Sequence, residues 1–562
     1  MVKGILKTNQ ISRIYTSKFQ IIVLTIILLF PFSSIIKSDS YAVASRHHLA
    51  TDIGMKVLEE GGNAIDAAVA VAFALSVVNP SAGNLGGGGF MLIHLAEKNE
   101  TLSIDYRERA PIKSFEKMFQ TESGKVIKGL SLNSILASGV PGTVSGMFYA
   151  SEKFGTIDIK SLIKPSIELA KKGFVLSNFQ ANNLNKYKKK FLKNKEATKI
   201  FTRTDGFSEG DTLIQKNLAI TLERISKNGM DEFYSGETAK KISDFFHANG
   251  GILSLQDLNQ YKLRILKPVC ASYRDFEVCS MPPPSSGGIA LVQMLNILEN
   301  IDLSKIDHNS EKYLRILISA MDFAYNDRAK YLGDPDFFKV PQDFLTSKKY
   351  ANKLFKLIQN KKRPAKINVN ILEGEETTHF SIVDKWGNAV SNTYTLNTAY
   401  GSGIIPTGTG ILMNNEMDDF SSKPGYPNAY GLIGSEANKI EPKKTPLSSM
   451  SPVIVFHEEK PYLITGSPGG STIITSVLQE ILNILDFKMS LEESSNKSRI
   501  HFQHLPNILF YEKLDNKLIE SLKKEKKLMN RKLGEIHSIL LKKDKVEAFS
   551  DKRRPDGKAS SL

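Results

Sequence analysis

The spacing of apolar and polar positions divides the chain into stretches of different period. The run "TDIGMKVLEEGGNAIDAAVAVAFALSVVNP" has apolar residues at helical spacing, interrupted by paired glycines. It predicts two helices. Thr51 or Asp52 caps the first, Gly61 and Gly62 end it, Asn63 caps the second and Pro80 stops it. The second, roughly Ala64 to Val78, is apolar on nearly every face, is too short to span a bilayer and carries Asp66, so it reads as a buried core helix. A glycine-rich loop, "SAGNLGGGGFMLIHL", then enters a strand, and "TLSIDYRERAP" gives another. Helical periods fill the middle from about Thr143 to Phe355, including "DIKSLIKPSIELAKKGF" and "SEKYLRILISAMDFAYNDRAKYL". From Thr377 strands dominate, followed by a helix near "TIITSVLQEILNIL", and no internal repeat is present.

The sharpest change of period lies in "EGEETTHFSIVDKWGNAVSNTYTLNTAYGSG". Before it, the lysine-rich "NKKRPAKINVNILEG" has neither period and reads as a linker. From there Thr377, His379 and Ser381 fall on one strand face, and Thr378, Phe380 and Ile382 on the other. After a turn at "DKWGN", the return run places Thr393, Thr395 and Asn397 on one face. Two readings fit. One is an edge hairpin with a wet side, since threonine is common in strands. The other is chemical. A threonine hydroxyl needs a base to become a nucleophile, and a cut just before the threonine creates one in its own α-amine, whose pKa of roughly 7.7–8.0 suits the task. The linker would then be the segment that is severed.

Composition narrows the classes. A chain of 562 residues needs two domains or one large layered α/β domain. The net charge of +15 is mostly scattered lysine. Its densest cluster, "SLKKEKKLMNRKLGEIHSILLKKDK", reads as a solvated helix followed by a strand, without the aromatic platforms or groove-reading helix of a nucleic-acid module. No nucleic-acid partner is expected. Lys3, Lys7, Arg13 and Lys18 precede "FQIIVLTIILLFPFSSII", a basic region followed by an apolar one, so residues 1–39 are expected to be a signal peptide or an uncleaved membrane anchor. "AVA" at Ala42 to Ala44 fits a cleavage pattern but falls in what reads as the first strand. The only two cysteines, Cys270 and Cys279, face each other if Arg274 and Asp275 form a two-residue turn. A cross-strand disulfide and two small buried thiols are both compatible with that. No metal is expected, because there is no Cys-x-x-Cys, and His501 with His504 lacks a supporting ligand set. "GNLGGGGF" fails the nucleotide-binding spacings and reads as a place where backbones pack closely.

"TTHFSIVDKWGNAVSNTYTLNTAYGSGI" resembles the start of the small subunit of γ-glutamyltranspeptidases. "EEGGNAIDAAVAVAFALSVVNPSAGNLGGGGFMLI", "DYRERAP", "SMPPPSSGGI", "ILMNNEMDDFSSKPG", "PLSSMSPVIV" and "LITGSPGGSTI" resemble that family too, in its order, from about Tyr41 to the C-terminus. The resemblance implies an α/β N-terminal-nucleophile hydrolase fold of four layers, αββα, with two mainly antiparallel sheets between helices. It implies a proenzyme that cuts itself between Glu376 and Thr377 into a large subunit, 40–376, and a small subunit, 377–562, which stay together as one globular unit. Thr377 would be the nucleophile and Thr395 its supporting hydroxyl, with Gly469 and Gly470 as the oxyanion hole. Arg107, Ser448 and Ser449 would hold the α-carboxylate of a γ-glutamyl substrate. Asn397, Glu416 and Asp419 would accept from its α-amino group, and Tyr430 would close over the pocket from a flap rich in glycine and proline. The implied activity is transfer of the γ-glutamyl group of glutathione or another γ-glutamyl amide to water, an amino acid or a peptide, without a cofactor. A cephalosporin-acylase-like amidase on the same scaffold and a non-catalytic exported binding protein are the rival readings.

Overall fold

The computed structural model describes residues 40–364, 376–543 and 545–562. The basic and apolar N-terminal run and most of the lysine-rich linker lie outside these residues. Among the described residues no helix is long and apolar enough to cross a bilayer.

Strand β1 (Ala42–Ser45) leads into helices α1 (His48–Glu59) and α2 (Ala64–Val78). The first helix starts earlier than Thr51. His47 caps it, its Nδ1 accepting from the Leu49 amide at 3.3 Å. The imidazole does what a short hydroxyl or carboxyl usually does. Thr51 instead lies inside the helix, and its hydroxyl bonds Ser45 at 2.8 Å and the Lys558 carbonyl at 2.9 Å. Asn63 caps α2 in a reciprocal box with Asp66, and every residue of α2 is buried. Asp66 is fully used: it also accepts from the Thr156 hydroxyl at 2.6 Å and from the Thr156 and Ile157 amides.

Further along the chain come β2 (Gly88–Leu95), β3 (Glu100–Asp105), β4 (Arg264–Leu266), β5 (Val269–Tyr273) and β6 (Phe276–Ser280), then helices α3 (Gly287–Leu298) and α4 (Glu311–Tyr331). After the linker follow β7 (Thr378–Val383), β8 (Ala389–Thr395), β9 (Val453–His457), β10 (Lys460–Thr465), α5 (Ile473–Leu485), β11 (His537–Lys542), β12 (Lys545–Ser550) and β13 (Lys558–Ser561). One sheet has the order β13-β1-β7-β8-β2-β3-β4, and the other β12-β11-β10-β9-β6-β5. All these pairings are antiparallel. The first sheet therefore joins strands from both sides of the Glu376–Thr377 junction.

Period-two alternation builds the layers. Val43, Met91, Ile93, Phe380 and Ile382 pack with α1, α2 and the middle helices. Ala42, Ala44, Phe90 and Leu92 point the other way, toward Ile454, Leu463 and Ile464 of the second sheet and toward α3, α4 and α5. The layers run helices, sheet, sheet, helices, as expected. Polar side chains cross between the sheets: Ser391 donates to the Thr465 carbonyl at 3.0 Å, and Ser381 to that of His537 at 2.8 Å.

The edge-hairpin reading is overturned. The β7–β8 pair lies in the middle of its sheet, between β1 and β2, and every residue of both strands is buried. Its hydroxyl-rich face is dry and faces the second sheet. His379 bridges Thr393 at 2.8 Å and Ser381 at 3.0 Å, and burial lowers its pKa well below the ordinary value, so it is a neutral structural group. The turn is held by Asp384, which accepts from Trp386, Asn388 and the first amide of α2. Cys270 and Cys279 pair directly across β5 and β6 and form a disulfide, with Arg274 in left-handed conformation in the turn. "GNLGGGGF" is a close-packing run: a side chain on Gly87 would strike the Thr395 carbonyl, and one on Gly89 would strike Tyr394.

Candidate active site

Thr377 stands one residue before β7, and the last residue of β8 is Thr395. The Thr395 hydroxyl donates to the Glu376 carbonyl at 2.9 Å and accepts from the Asn397 amide at 2.9 Å. Arg46 donates to the Thr377 carbonyl at 2.5 Å. The Glu376–Thr377 peptide is thus held on both sides, in a buried position. Because the chain runs on through this junction, the Thr377 nitrogen is still an amide.

A pocket opens from Thr377 and is lined by Arg107, Thr395, Asn397, Glu416, Asp419, Tyr430, Ser448, Ser449 and Gly470. Gly469 borders an adjoining cavity of about 210 Å³ together with Glu376. Every site residue expected from the sequence therefore lies at or beside this junction.

Arg107, two residues after β3, is 1 % exposed. Its guanidinium meets Asp419 at 2.6 Å, Glu416 at 2.9 Å and Glu108 at 3.6 Å. Three carboxylates share one cation in a dry setting. Burial works against the charge of Arg107, and Glu416, Glu108 and Asp419 outweigh it and raise its pKa. For Glu108 and Glu416 burial wins: Glu108 is pushed up to about 8, and Glu416 goes well above the ordinary carboxylate range. One guanidinium cannot keep all the crowded carboxyls around it ionised, so Glu108 and Glu416 are driven toward the protonated form, and an arriving cation would favour their ionisation. Asn397, at φ 77°, adds to it: its amide nitrogen donates to the Asn415 carbonyl at 2.9 Å, while its buried Oδ1 has no hydrogen-bond partner among the described residues.

In the same pocket, the Ser448 hydroxyl accepts from the Met450 amide at 3.1 Å and that of Ser449 accepts from Arg328 at 3.3 Å. Arg328 is buried and makes no ion pair among the described residues. Its positive field backs the two serines, although burial lowers its pKa. The glycine pair forms the turn before α5, with φ of 129° at Gly469 and 55° at Gly470. Both values favour glycine, and a side chain at Gly470 would strike the Tyr430 ring.

The segment around Tyr430 lies against the pocket. The Tyr430 hydroxyl donates to the Asn397 carbonyl at 2.6 Å, and Gln503 holds the Tyr430 carbonyl at 2.9 Å. Asn428 bonds Asp419 at 3.0 Å, and the Ala429 amide bonds Asp418 at 2.8 Å. His501 and His504 are committed elsewhere, to Thr475 with Gln503 and to Asp322.

Several participants escape the sequence reading. Glu108 adjoins Arg107 in "DYRER" and carries a signal in that adjacency. Arg46, Glu535 and Arg554 carry none: each lies outside the recognisable motifs and far along the chain from Glu376, which meets Arg46 at 3.0 Å and Arg554 at 3.2 Å. Arg328 and Gln503 are equally silent.

Comparison with known proteins agrees with this geometry. A family model described as gamma-glutamyltranspeptidase matches residues 50–561. The glutathione hydrolase proenzyme of Escherichia coli K12 is 46 % identical over 533 residues, 93 % of this chain and 92 % of that protein. The crystal structure of Helicobacter pylori γ-glutamyltranspeptidase superposes with a TM-score of 0.55 at 48 % identity, covering 56 % of this chain and 90 % of that one. The crystal structure of a cephalosporin acylase from Bacillus halodurans superposes with a TM-score of 0.81 at 22 % identity, over 93 % and 96 % of the two chains, a likeness of fold alone. With the family model matched over residues 50–561 and the Escherichia coli relative covered over most of its length, the chain belongs to the γ-glutamyltranspeptidase family.

Proposed function

We propose that this protein is a self-processing γ-glutamyltransferase and glutathione hydrolase with Thr377 as its nucleophile. The observation that carries the reading is the convergence in one pocket with Thr377 of Arg107, the acids Glu416 and Asp419, the two serines and the glycine turn. A γ-glutamyl group ends in a zwitterion. Arg107, Ser448 and Ser449 suit its α-carboxylate, and Asn397, Glu416 and Asp419 suit its α-ammonium. A glutaryl side chain has no ammonium and no use for these acceptors, which favours the γ-glutamyl substrate over the acylase alternative. A mere binder would have no need of the Thr377, Thr395, Gly469 and Gly470 set.

The cut between Glu376 and Thr377 frees the α-amine that serves as base. The amine takes the Thr377 hydroxyl proton as Oγ attacks the γ-carbonyl. The Gly469 and Gly470 amides receive the oxyanion, a donor pair of a kind in which each member contributes on the order of a hundredfold in rate. The proton passes to the leaving amine, the C–N bond breaks, and a γ-glutamyl ester remains on Thr377. Water, an amino acid or a peptide then attacks that ester and restores the hydroxyl. The segments 40–376 and 377–562 stay together as a large and a small subunit because they share a sheet. We place the protein outside the cytoplasm, either released or tethered by its N-terminal segment. The basic and apolar run before Ser40 and the Cys270–Cys279 disulfide support that placement.

The test is Thr377→Ala. The variant is expected to stay a single chain and to release nothing from a γ-glutamyl anilide, whereas the parent gives two fragments and turns over. A variant that still cleaves itself or the anilide contradicts the assignment.

A further inference from the structure

On the side of the junction away from Arg107, four charged side chains form a group of their own. Arg46 meets Glu376 at 3.0 Å and Glu535 at 3.4 Å, and Arg554 meets the same two carboxylates at 3.2 Å each. Arg46, Glu376 and Glu535 are almost completely buried, and Arg554 is about one-fifth exposed. Within the group two positive and two negative charges balance. That balance lets such a cluster sit out of water, and removing one member leaves an uncompensated charge. None of the four has a part in the handling of a γ-glutamyl amide set out above.

What the group does touch is the peptide to be cut. Arg46 grips the residues on both sides of it: one guanidinium nitrogen donates to the Glu376 carboxylate and another to the Thr377 carbonyl at 2.5 Å. Strand β7 begins at Thr378, just past this peptide. This clamp and the Thr395 hydroxyl on the Glu376 carbonyl both anchor it. An intramolecular attack is fast only when the reacting atoms are held about 3–3.5 Å apart and aligned.

We infer that Glu376 is a positioning residue for self-cleavage, its carboxylate clamped by Arg46 and Arg554 with Glu535 balancing the second guanidinium. The clamp holds the Glu376 carbonyl against Thr395 and presents its carbon to the Thr377 hydroxyl. The inference rests on the reading of Thr377 as the nucleophile. In the step it serves, an Oγ–C bond forms, the C–N bond breaks, and the hydroxyl proton ends on the Thr377 nitrogen. Water then hydrolyses the ester, leaving Glu376 with a terminal carboxylate and Thr377 with a free hydroxyl and a free amine.

The experiment follows the conversion of the full-length chain into two fragments over time. Glu376→Gln, which keeps shape and removes charge, is expected to slow conversion by about tenfold or more, the scale at which lost alignment is felt. Its thermal midpoint before cleavage reports that the fold is kept. Arg46→Met is expected to slow conversion similarly, and Arg46→Lys to recover part of the loss. A Glu376→Gln, Arg554→Met double variant is expected to be no more than about twofold slower than the slower single, because the clamp is already open. Conversion of Glu376→Gln at the parent rate, or losses that multiply in the double variant, overturns the inference. If an arginine variant does not fold, the isosteric Glu376→Gln decides alone. Thr377→Ala runs alongside. Cleavage of that variant would sink the nucleophile assignment, whereas an uncut Thr377→Ala beside an unimpaired Glu376→Gln sinks the clamp only.

Discussion

Two buried groups of arginine and carboxylate flank Thr377, and they are built on opposite rules. Around Arg107 one cation faces Glu108, Glu416 and Asp419. Around Glu376 two arginines face two glutamates. The consequence shows in two glutamates that are equally hidden. Burial pushes Glu108 up to about 8, since its share of Arg107 is too small to offset it. Burial pushes Glu535 the same way, but Arg46, the neighbouring His537 imidazole and Arg554 overcome it and bring Glu535 down to about 2. Carboxyls crowded past what one cation can keep ionised leave a place that an arriving cation would complete, as the ammonium of the proposed γ-glutamyl substrate would. Charge in balance marks a place where the chain holds itself.

The contrast can be broken in four ways, taken from the largest effect to the smallest. Arg107→Met removes the one cation among Glu108, Glu416 and Asp419 and, on the proposed reading, the partner of the substrate carboxylate. The kcat/KM for a γ-glutamyl anilide is expected to fall by about a thousandfold, near 4 kcal/mol, the upper range for truncating a buried charge partner. Glu535→Gln should cost the uncut chain about 3 kcal/mol in denaturant at neutral pH. The sign follows from a folded pKa below the unfolded one: the contribution is present above the ordinary carboxylate value and is lost as pH falls toward 2, so the gap to the parent closes on acidification. Glu416→Gln should reduce the preference for γ-glutamyl over glutaryl amides by about tenfold, the worth of one charge-assisted hydrogen bond, read as a ratio of kcat/KM values. Glu108→Gln should do least. The folded pKa of Glu108 is raised, so its contribution is full below the unfolded value and lost as pH rises through about 8. Glutamine mimics the protonated acid, so the variant should match the parent within about 1 kcal/mol near pH 5 and exceed it in stability near pH 9.

The sequence makes one of these groups legible and hides the other. Arg107, Glu416, Asp419 and the two serines sit in long ordered motifs, and Glu108 stands beside Arg107. Arg46, Glu535 and Arg554 come from distant loops that only the folded sheets bring together, and nothing in their local sequence points to one another. The same limit applies to the hairpin. Alternation assigned Thr377, His379 and Ser381 to one face and Phe380 and Ile382 to the other. It could not tell an edge strand from a central one, because that depends on β1 and β2 arriving on either side. The α2 helix was plain because it is apolar all round and opens on an asparagine cap. The start of α1 was not, because a histidine cap lies outside the usual set of short polar residues.

The most direct measurement is the intact mass and N-terminal sequence of the fragments in active enzyme. The account predicts a smaller fragment that begins with Thr377 and gains one γ-glutamyl unit when quenched during turnover. An active chain with the Glu376–Thr377 bond unbroken, or a new terminus at any other residue, would contradict it.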